Sequence, residues 1–264
     1  AQLDVSVSNY NINLAGNWDN RTLSDRFTER TGRVVFDGSG DQIINPSSIF
    51  DETFNKLAIN KPSGQVIPAT SVDLIIVDSL IFIKGIIRAD NNGVIIQFND
   101  NAFSNGGDAD SYVDGSVRKI GNEAFVFPVG DSTIWARIAI TAPALATDAF
   151  TARYFAGKHA DANNTDGTLN NSSVVEYWTL DRSAGTSDVQ ITLYWEDSAR
   201  SGIDDAATID LVIARYDGTN WVDEGQNTVT NNDPGNVTSN LITSFSPFTF
   251  GSKGGPQNPL PIDL

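Results

Sequence analysis

One histidine, His159, is the only imidazole that acid–base or nucleophilic chemistry in this chain can use. It lies in the segment GKHADANNTDG, whose composition is typical of a loop. The chain lacks cysteine and has no nucleophile-elbow pattern G-x-S-x-G. A Ser-His-Asp triad would have to use His159, so the sequence favours an exposed loop histidine over a catalytic base. Zinc is disfavoured as well, because only carboxylates would remain to complete its ligand set.

Paired carboxylates are a second possible chemistry, since glycoside hydrolysis needs two acids at a fixed separation. Glu176 and the pair Glu196 and Asp197 lie near Trp178 and Trp195 in the sequence, a combination that a sugar site would use. Both tryptophans fall on strongly alternating strands, which favours core positions for them. The sequence therefore predicts structural aromatics here and no enzymatic activity.

Calcium is the cofactor that suits this composition best, because it takes oxygen ligands from Asp, Asn and loop carbonyls. The best candidate is DANNTDG, where Asp161, Asn163, Thr165 and Asp166 offer oxygens at close spacing. The segment departs from the EF-hand pattern at its fifth and sixth positions and lacks the later Glu. We predict a weak calcium site in this loop, and we expect DGSGD and GGDAD to be turns.

The composition limits the kind of fold that can position these residues. With 40% hydrophobic residues, the 264-residue chain can form one large β domain or two smaller ones. The net charge of −16 disfavours nucleic acid and anionic membrane surfaces as partners. Asp outnumbers Glu by 27 to 6, which predicts that the charge lies on loops between strands. The longest apolar run is too short for a membrane span.

The chain is predicted to be all-β, because helical periodicity is absent and short β-rich runs recur between Gly, Asn and Asp clusters. Residues 1–110 contain short strands with tight polar turns, which favours a β-solenoid-like domain, a parallel β-helix. Core stacking in this domain is predicted for Leu74, Ile75, Ile76, Ile81, Phe82 and Ile83.

Residues 111–251 contain longer strands with regular alternation, which favours an antiparallel β-sandwich. The segment NGGDADSYVDG has a loop composition and is predicted to separate the two domains. In YDGTNW, Asp217-Gly218 predicts a hairpin with Tyr216 and Trp221 on its two arms. One face of a sandwich strand is predicted to hold Val189, Ile191, Leu193 and Trp195.

Export is expected from the first residues. Methionine is absent, so Ala1 is not a translational start, and a small residue followed by Gln is what a signal peptidase leaves. We expect an extracellular or outer-surface location after removal of a signal peptide. The absence of cysteine suits a bacterial exported protein.

Seven segments spread over nearly the whole chain carry a family resemblance. They are YNINLAGNWDN, GRVVFDGSGDQII, FNKLAINKPSG, SYVDGSVRKIGNEAFVFPVGD, VVEYWTLDRSAGTSDVQITLYWED, DLVIARYDGTNWVDEG and SFSPFTFGS. In order and combination they resemble the recurring modules of large surface proteins from Bacteroidetes. The resemblance implies non-catalytic modules that stand immediately before a C-terminal sorting domain for type IX secretion.

The last residues, 252–264, fit this resemblance. They form a Gly-, Pro- and Asn-rich linker followed by LPIDL, which is similar to the first strand of such a sorting domain. The alternative is an ordinary disordered tail. The resemblance also implies O-glycosylation at Asp-Ser motifs, where Ser132 and Ser198 are the better candidates and Ser79 is expected to be shielded.

Three functions remain open from the sequence. The leading one is a non-enzymatic surface or matrix protein that acts by adhesion or self-assembly with copies of itself or other surface proteins. A rival is a carbohydrate-binding module ancillary to polysaccharide degradation, with Trp18, Trp135 or Trp221 exposed as a platform.

A polysaccharide hydrolase or lyase is the third possibility, because β-helices host such enzymes. It would need a row of acids with Lys or Arg on one solenoid face. Residues 72–87 offer only Asp73, Asp78 and Lys84 for such a row.

Overall fold

The computed structural model describes residues 2–21, 26–46, 50–69, 72–90, 93–203, 209–245 and 247–254. Strands make up 49% of the chain and helix 3%, which confirms the all-β prediction. The chain divides into two compact units. The first contains residues 1–122 and 127–135, and the second contains residues 123–126 and 136–264.

The first unit is a β-solenoid of about 5 turns, as predicted. One parallel sheet runs through β2 (Ile12–Leu14), β5 (Arg33–Phe36), β7 (Glu52–Asn60), β9 (Leu74–Lys84), β11 (Ile95–Phe98) and β14 (Ser116–Ile120). Beside it, β12 (Phe103–Ser104) pairs with β9, and β1 (Leu3–Asp4) pairs in parallel with β4 (Phe27–Thr28).

A second sheet of the solenoid contains seven strands. Its parallel part runs through β3 (Trp18–Asp19), β6 (Gln42–Asn45), β8 (Val66–Pro68), β10 (Ile87–Arg88), β13 (Val113–Asp114) and β16 (Val129–Asp131). The last strand, β17 (Ile134–Trp135), pairs with β16 in antiparallel orientation. The parallel stacking therefore ends at this hairpin.

Apolar residues of successive coils stack on one another. Val34 pairs with Leu57, and Leu57 pairs with Leu80, so one coil spans 23 residues at this position. All three side chains are buried. Burial of such a column removes apolar area from water in every coil, which stabilises the stack without disulfides.

Alternation along β9 corrects one sequence prediction. Leu74, Ile76 and Phe82 are buried as expected. The intervening Ile75 and Ile81 are only half-buried, and Ile83 is exposed, because alternate residues of a strand point to opposite faces. The continuous apolar run thus hides one face of β9 and leaves the other toward solvent.

Asn and Asp side chains connect one coil to the next. The Oδ1 atoms of Asn11, Asp51 and Asp73 accept the backbone N–H groups of Arg33, Asp73 and Ile95 at 3.2, 2.9 and 3.0 Å, respectively. Each bond joins residues 22 positions apart, which is one coil. Short side chains are suited to this role because their oxygen stays close to the backbone. Each bond satisfies a backbone N–H at the start of a strand in the next coil, since Arg33 and Ile95 are the first residues of β5 and β11 and Asp73 directly precedes β9.

The predicted boundary at residue 110 falls inside the solenoid. Asp108 and Ser111 exchange two backbone hydrogen bonds of 2.8 and 3.0 Å, so NGGDADSYVDG contains a tight turn. Parallel pairing then continues, because Val113 of β13 is in register with Val129 of β16. A loop composition is common to coil turns and to linkers, and it cannot distinguish them.

The second unit contains two antiparallel sheets. One runs through β19 (Ala149–Ala156), β21 (Glu176–Ala184), β27 (Phe248–Ser252), β23 (Leu211–Tyr216) and β24 (Trp221–Asp223), with β20 (Asn171–Ser172) beside β27. The other runs through β15 (Phe125–Phe127), β18 (Ile138–Ile140), β22 (Ile191–Trp195), β26 (Gly235–Thr238) and β25 (Thr228–Thr230). A single helical turn, α1 (Ser198–Ser201), follows β22.

Aromatic side chains join the two sheets, as expected for a sandwich. Trp195 of β22 and Trp178 of β21 both pack edge-on against Phe250 of β27, with ring centroids 6.0 and 5.5 Å apart. Both tryptophans are fully buried, which confirms their predicted core positions. The predicted inward face of β22 is confirmed by the burial of Val189, Ile191, Leu193 and Trp195.

The predicted hairpin is also present. Tyr216 and Trp221 are paired residues of β23 and β24. The Asp217 carboxylate accepts the backbone N–H groups of Thr219 and Asn220, each at 2.8 Å, while Gly218 takes a φ of 99°. These contacts place Asp217-Gly218 in the turn for the reasons that the sequence indicates. The LPIDL segment, in contrast, lies outside the described residues.

Candidate functional site

The first coil of the solenoid carries an apolar groove of about 330 Å³. We use the name first-coil end for β1, β2 and β3 with the turns between them, residues 2–20. Inside the groove, the Trp18 ring packs edge-on against Phe27 and Phe54, with centroids 4.8 and 5.4 Å apart. The lining consists of Leu3, Ile12, Leu14, Asn17, Trp18, Asp19, Asn20, Arg26 and Phe27.

Each strand of the first-coil end is paired on one side within the described part of the chain. β2 pairs with β5, β3 with β6, and β1 with β4, and β2 and β3 are the terminal strands of their sheets. An edge strand of this kind presents backbone N–H and C=O groups that can pair with another chain. The turn and strands also expose Leu3, Val7 and Tyr10, at 48, 83 and 67% of their surface.

The predicted calcium loop is held by contacts with the neighbouring hairpin. Asp161 accepts a hydrogen bond of 2.9 Å from the Tyr216 hydroxyl, and its carbonyl accepts one of 3.0 Å from the Trp221 indole. Asp166 instead accepts from the backbone and the hydroxyl of Thr168. The two predicted carboxylate ligands thus have separate protein partners.

The other two residues of that prediction, Asn163 and Thr165, line a small cavity of about 120 Å³ with Ala162, Asn170 and Ser172. Among the described residues, no three His, Cys, Asp or Glu side chains gather in a group that could hold a metal ion. Calcium binding at this loop therefore stays a prediction.

His159 is not the exposed loop residue that we expected. Its side chain is 17% exposed and contacts the rings of Tyr177, Tyr216 and Trp221, with centroids 5.2, 4.8 and 5.4 Å away. Its Nδ1 accepts the backbone N–H of Asp161 at 3.2 Å. The imidazole thus packs into the aromatic cluster that supports the loop, a contact that a single sequence window does not reveal.

Glu176 is a fully buried carboxylate at the start of β21. Its Oε2 accepts hydrogen bonds from the Tyr154 hydroxyl at 3.0 Å and from Arg200 at 2.8 Å. Burial, together with the charge of Glu176, raises the pKa of Tyr154, so the phenol keeps its proton. The arrangement is a buried ion pair that joins two strands to α1, where Asp197 caps the N-terminus.

Glu196 is also occupied by a neighbour. It forms a two-pronged ion pair with Arg137, whose guanidinium donates from Nε at 2.6 Å and from Nη2 at 3.1 Å. The same guanidinium lies 4.2 Å above the Tyr194 ring. Glu176 and Glu196 therefore bind separate arginines, and each arrangement suits a structural role better than paired acid–base catalysis.

Aromatic residues proposed as a sugar platform are largely withdrawn from solvent. Trp18 and Trp221 are buried and Trp135 is half-buried. The expectation that Trp18 and Trp221 are exposed is wrong, because each ring packs into its own aromatic cluster. A carbohydrate that stacks on their faces would have to displace these contacts.

A polar groove of about 390 Å³ lies on the flank of the solenoid. Arg88 lies 3.8 Å from Asp90, and Asp114 accepts the backbone N–H of Ser132 at 3.2 Å. Burial, followed by the charge of Asp114, raises the pKa of the nearby Tyr112 to about 12. Arg88, Asp90 and Asp114 line this groove together, and the sequence did not reveal the group because all three lie beyond residues 72–87.

The three candidate glycosylation residues have different settings. Ser132 is exposed in the turn between β16 and β17, with a φ of 58°. Ser198 is half-buried, and its hydroxyl donates to Asp233 at 2.9 Å. Ser79 is buried, as expected. Ser132 is thus the most accessible of the three for a modifying enzyme.

Two lysines are buried, which the sequence did not predict. The Lys61 ammonium donates to the Gly38 carbonyl at 2.8 Å and to Gln42 Oε1 at 2.7 Å. The Lys119 ammonium donates to the carbonyls of Asn99 and Ala102 at 2.9 and 3.0 Å. Both ammonium groups bind loop carbonyls of a preceding coil. The only sequence signal is the separation along the chain between each lysine and the residues whose carbonyls it binds, which is 23 residues for Lys61 and 20 and 17 residues for Lys119.

Comparison with known proteins does not assign this site. No protein-family model, curated protein or solved structure matches the chain. In the part of the chain that the structure describes, no helix is long and apolar enough to cross a membrane.

Proposed function

We propose that this chain is a non-catalytic structural module of the cell exterior, acting by adhesion or by assembly with copies of itself or other surface proteins. The observation that carries the proposal is the first-coil end, where edge strands and exposed apolar side chains coincide. Such edges favour association through backbone pairing and apolar contact.

An extracellular location is part of this proposal. Its support is the sequence resemblance to Bacteroidetes surface modules. Type IX secretion follows from the same resemblance. The high proportion of strand and the internal Asn and Asp bonds provide a stable fold that does not depend on disulfides.

The non-catalytic assignment rests on how the acids are used. Glu176 and Glu196 are each bound by an arginine, and Asp114 accepts a backbone N–H. These contacts hold the carboxylates in structural arrangements. A hydrolase would instead need two acids that face one substrate at a fixed separation.

A carbohydrate-binding module is the alternative, and the burial of Trp18 and Trp221 weighs against it. In this alternative, polysaccharide would bind in the polar flank groove, which Arg88, Asp90 and Asp114 line. We treat glycan binding as a competing outcome in the test of the proposal.

The test is sedimentation velocity and electron microscopy of the purified chain across protein concentration, salt and calcium. Larger particles should form as concentration and salt rise, because salt screens the −16 charge of each copy. A calcium-dependent increase that EDTA reverses would add a cation bridge to the mechanism. Monomers under all conditions, together with tight binding of a defined glycan, would overturn the proposal in favour of carbohydrate binding.

A further inference from the structure

We infer that the first-coil end is a homodimerisation surface on which two copies meet across a two-fold axis. The inference rests on the proposed function, which it deepens by naming both the surface and the partner. A second copy of this chain is the occupant to which the charge, the exposed apolar residues and the strand edges point together.

Charge is distributed unevenly along the chain. Residues 1–33, which comprise the first-coil end and the start of the next coil, contain four acidic and four basic side chains, so the whole net charge of −16 lies in residues 34–264. The basic residues are Arg21, Arg26, Arg30 and Arg33. Two identical acidic molecules repel one another wherever their acidic surfaces face, and a neutral surface is where that repulsion is smallest.

Local ion pairs reinforce this neutrality. Arg30 forms a two-pronged ion pair with Asp4 of β1 at 2.6 and 2.8 Å, and Arg21 pairs with Asp19 of β3 at 2.6 Å. The Arg30 guanidinium lowers the pKa of Asp4 to about 2, so this pair stays ionised well into the acid range. The strand ends therefore present compensated charges to a partner.

Exposed apolar residues supply the attraction. Val7 lies in the turn between β1 and β2, Tyr10 follows it, and Leu3 lines the groove beside Trp18. Val7 is 83% exposed and Tyr10 is 67% exposed. Covering such side chains removes apolar area from water, which offsets part of the cost of association.

The strand directions select a symmetric pair. In the second sheet, the far end of the parallel stack is closed by the antiparallel β17, so it does not offer the parallel edge that head-to-tail stacking onto β3 would require. Two copies can instead bring the same edge together, and a two-fold axis relates identical strands in antiparallel orientation. β2 is the central candidate because its outer edge is the end of its sheet.

The experiment compares the full chain with single aspartate variants by sedimentation equilibrium. Val7→Asp and Tyr10→Asp should each weaken the dimer at least tenfold. In a two-fold dimer each substitution places two added negative charges at the interface, one from each copy. Ile209→Asp is the matched control, since Ile209 is 78% exposed and lies in the second unit. Circular dichroism and Tm must show that all three variants remain folded.

A second measurement locates the contact. The chain has no cysteine, so Ser8→Cys or Leu241→Cys can carry a single spin label, and Ser8 is an exposed residue of the turn that carries Val7. In a two-fold dimer, the label at position 8 should give one short, narrow distance between copies. The label at position 241, in the second unit, is the control and should give a longer distance.

The outcomes separate this inference from the proposed function. If the chain associates and the Val7 and Tyr10 variants associate equally well, the first-coil surface is wrong while the structural function stands. A broad distance distribution at position 8 in an associated sample would also overturn the surface. A folded wild-type chain that is monomeric at every concentration and salt level would overturn the inference and remove self-assembly from the proposed function.

Discussion

Lys61 is a charged residue whose side chain lies in the interior of the solenoid. Its side chain is almost completely buried, and burial lowers its pKa while the nearby Asp41 and Asp37 partly restore it. The ammonium hydrogen-bonds to Gly38 and Gln42, so the cost of burying a charge is offset by defined contacts. Removing the side chain takes the ammonium donor from the Gly38 carbonyl, whereas Gln42 Oε1 keeps the backbone N–H of Gly38 at 2.9 Å.

We expect Lys61→Ala to lower the free energy of unfolding by about 2 to 4 kcal/mol, because buried acceptors lose a charged donor. Guanidinium unfolding followed by tryptophan fluorescence would measure the change. The matched control is Lys84→Ala, which removes an exposed lysine and should change stability by less than about 0.5 kcal/mol. Equal stability of Lys61→Ala and the wild type would contradict the assigned role.

At the level of elements, the coils are joined by side-chain oxygens as well as by strand pairing. Asp51 provides one such link through its bond to the N–H of Asp73. We expect Asp51→Ala to destabilise the chain by about 0.5 to 1.5 kcal/mol, the usual net value of one hydrogen bond. Asp51→Asn keeps an acceptor oxygen and should lose less. Hydrogen exchange at the Asp73 amide would report the effect locally, and unchanged protection in Asp51→Ala would refute the link.

The hairpin between β23 and β24 should respond to pH. Backbone N–H groups of Asn220 and Thr219 stabilise the charged form of Asp217 and lower its pKa below the ordinary 3.8. A lowered folded-state pKa gives stability that is present above the unfolded-state pKa and is lost as the pH falls through the folded value.

Asp217→Ala should therefore have a lower Tm than the wild type at neutral pH, and the difference should shrink at strongly acidic pH. Asp217→Asn keeps an acceptor without a charge and should show a smaller, less pH-dependent difference. A difference between Asp217→Ala and the wild type that is constant from pH 7 to pH 2 would exclude the carboxylate as its source.

The sequence predicted those parts of the fold that local patterns determine. Alternation on β22 and the Asp217-Gly218 turn were correct because each depends on a few consecutive residues. Burial of Lys61 and the packing of His159 were missed because their partners lie on other coils or strands. The predicted boundary at residue 110 fell short of the last parallel strand for a similar reason, since register between distant coils is not visible in one segment.

At the scale of the whole molecule, the excess of acids controls how copies approach one another. The charge of −16 at pH 7 falls toward zero near the isoelectric point of about 4.2. We expect self-association to strengthen as the pH falls from 7 toward this value, because repulsion between copies weakens. Light scattering at fixed ionic strength would follow it. Ile209→Asp should behave as the wild type, while Val7→Asp should stay less associated throughout, and a particle size independent of pH would contradict the expectation.

At three places in the solenoid, a side-chain oxygen of one coil binds a backbone N–H that lies 22 positions further along the chain, in the next coil. Neighbouring strands lie about 4.8 Å apart, so each added coil lengthens the solenoid by that distance and leaves its cross-section unchanged. An inserted coil that carries its own Asn or Asp at the matching position preserves this bonding pattern, whereas an insertion of a few residues within a strand disrupts the bonds between that coil and its neighbours. Gene duplication can therefore change the length of the solenoid in steps of one coil without changing how its interior packs.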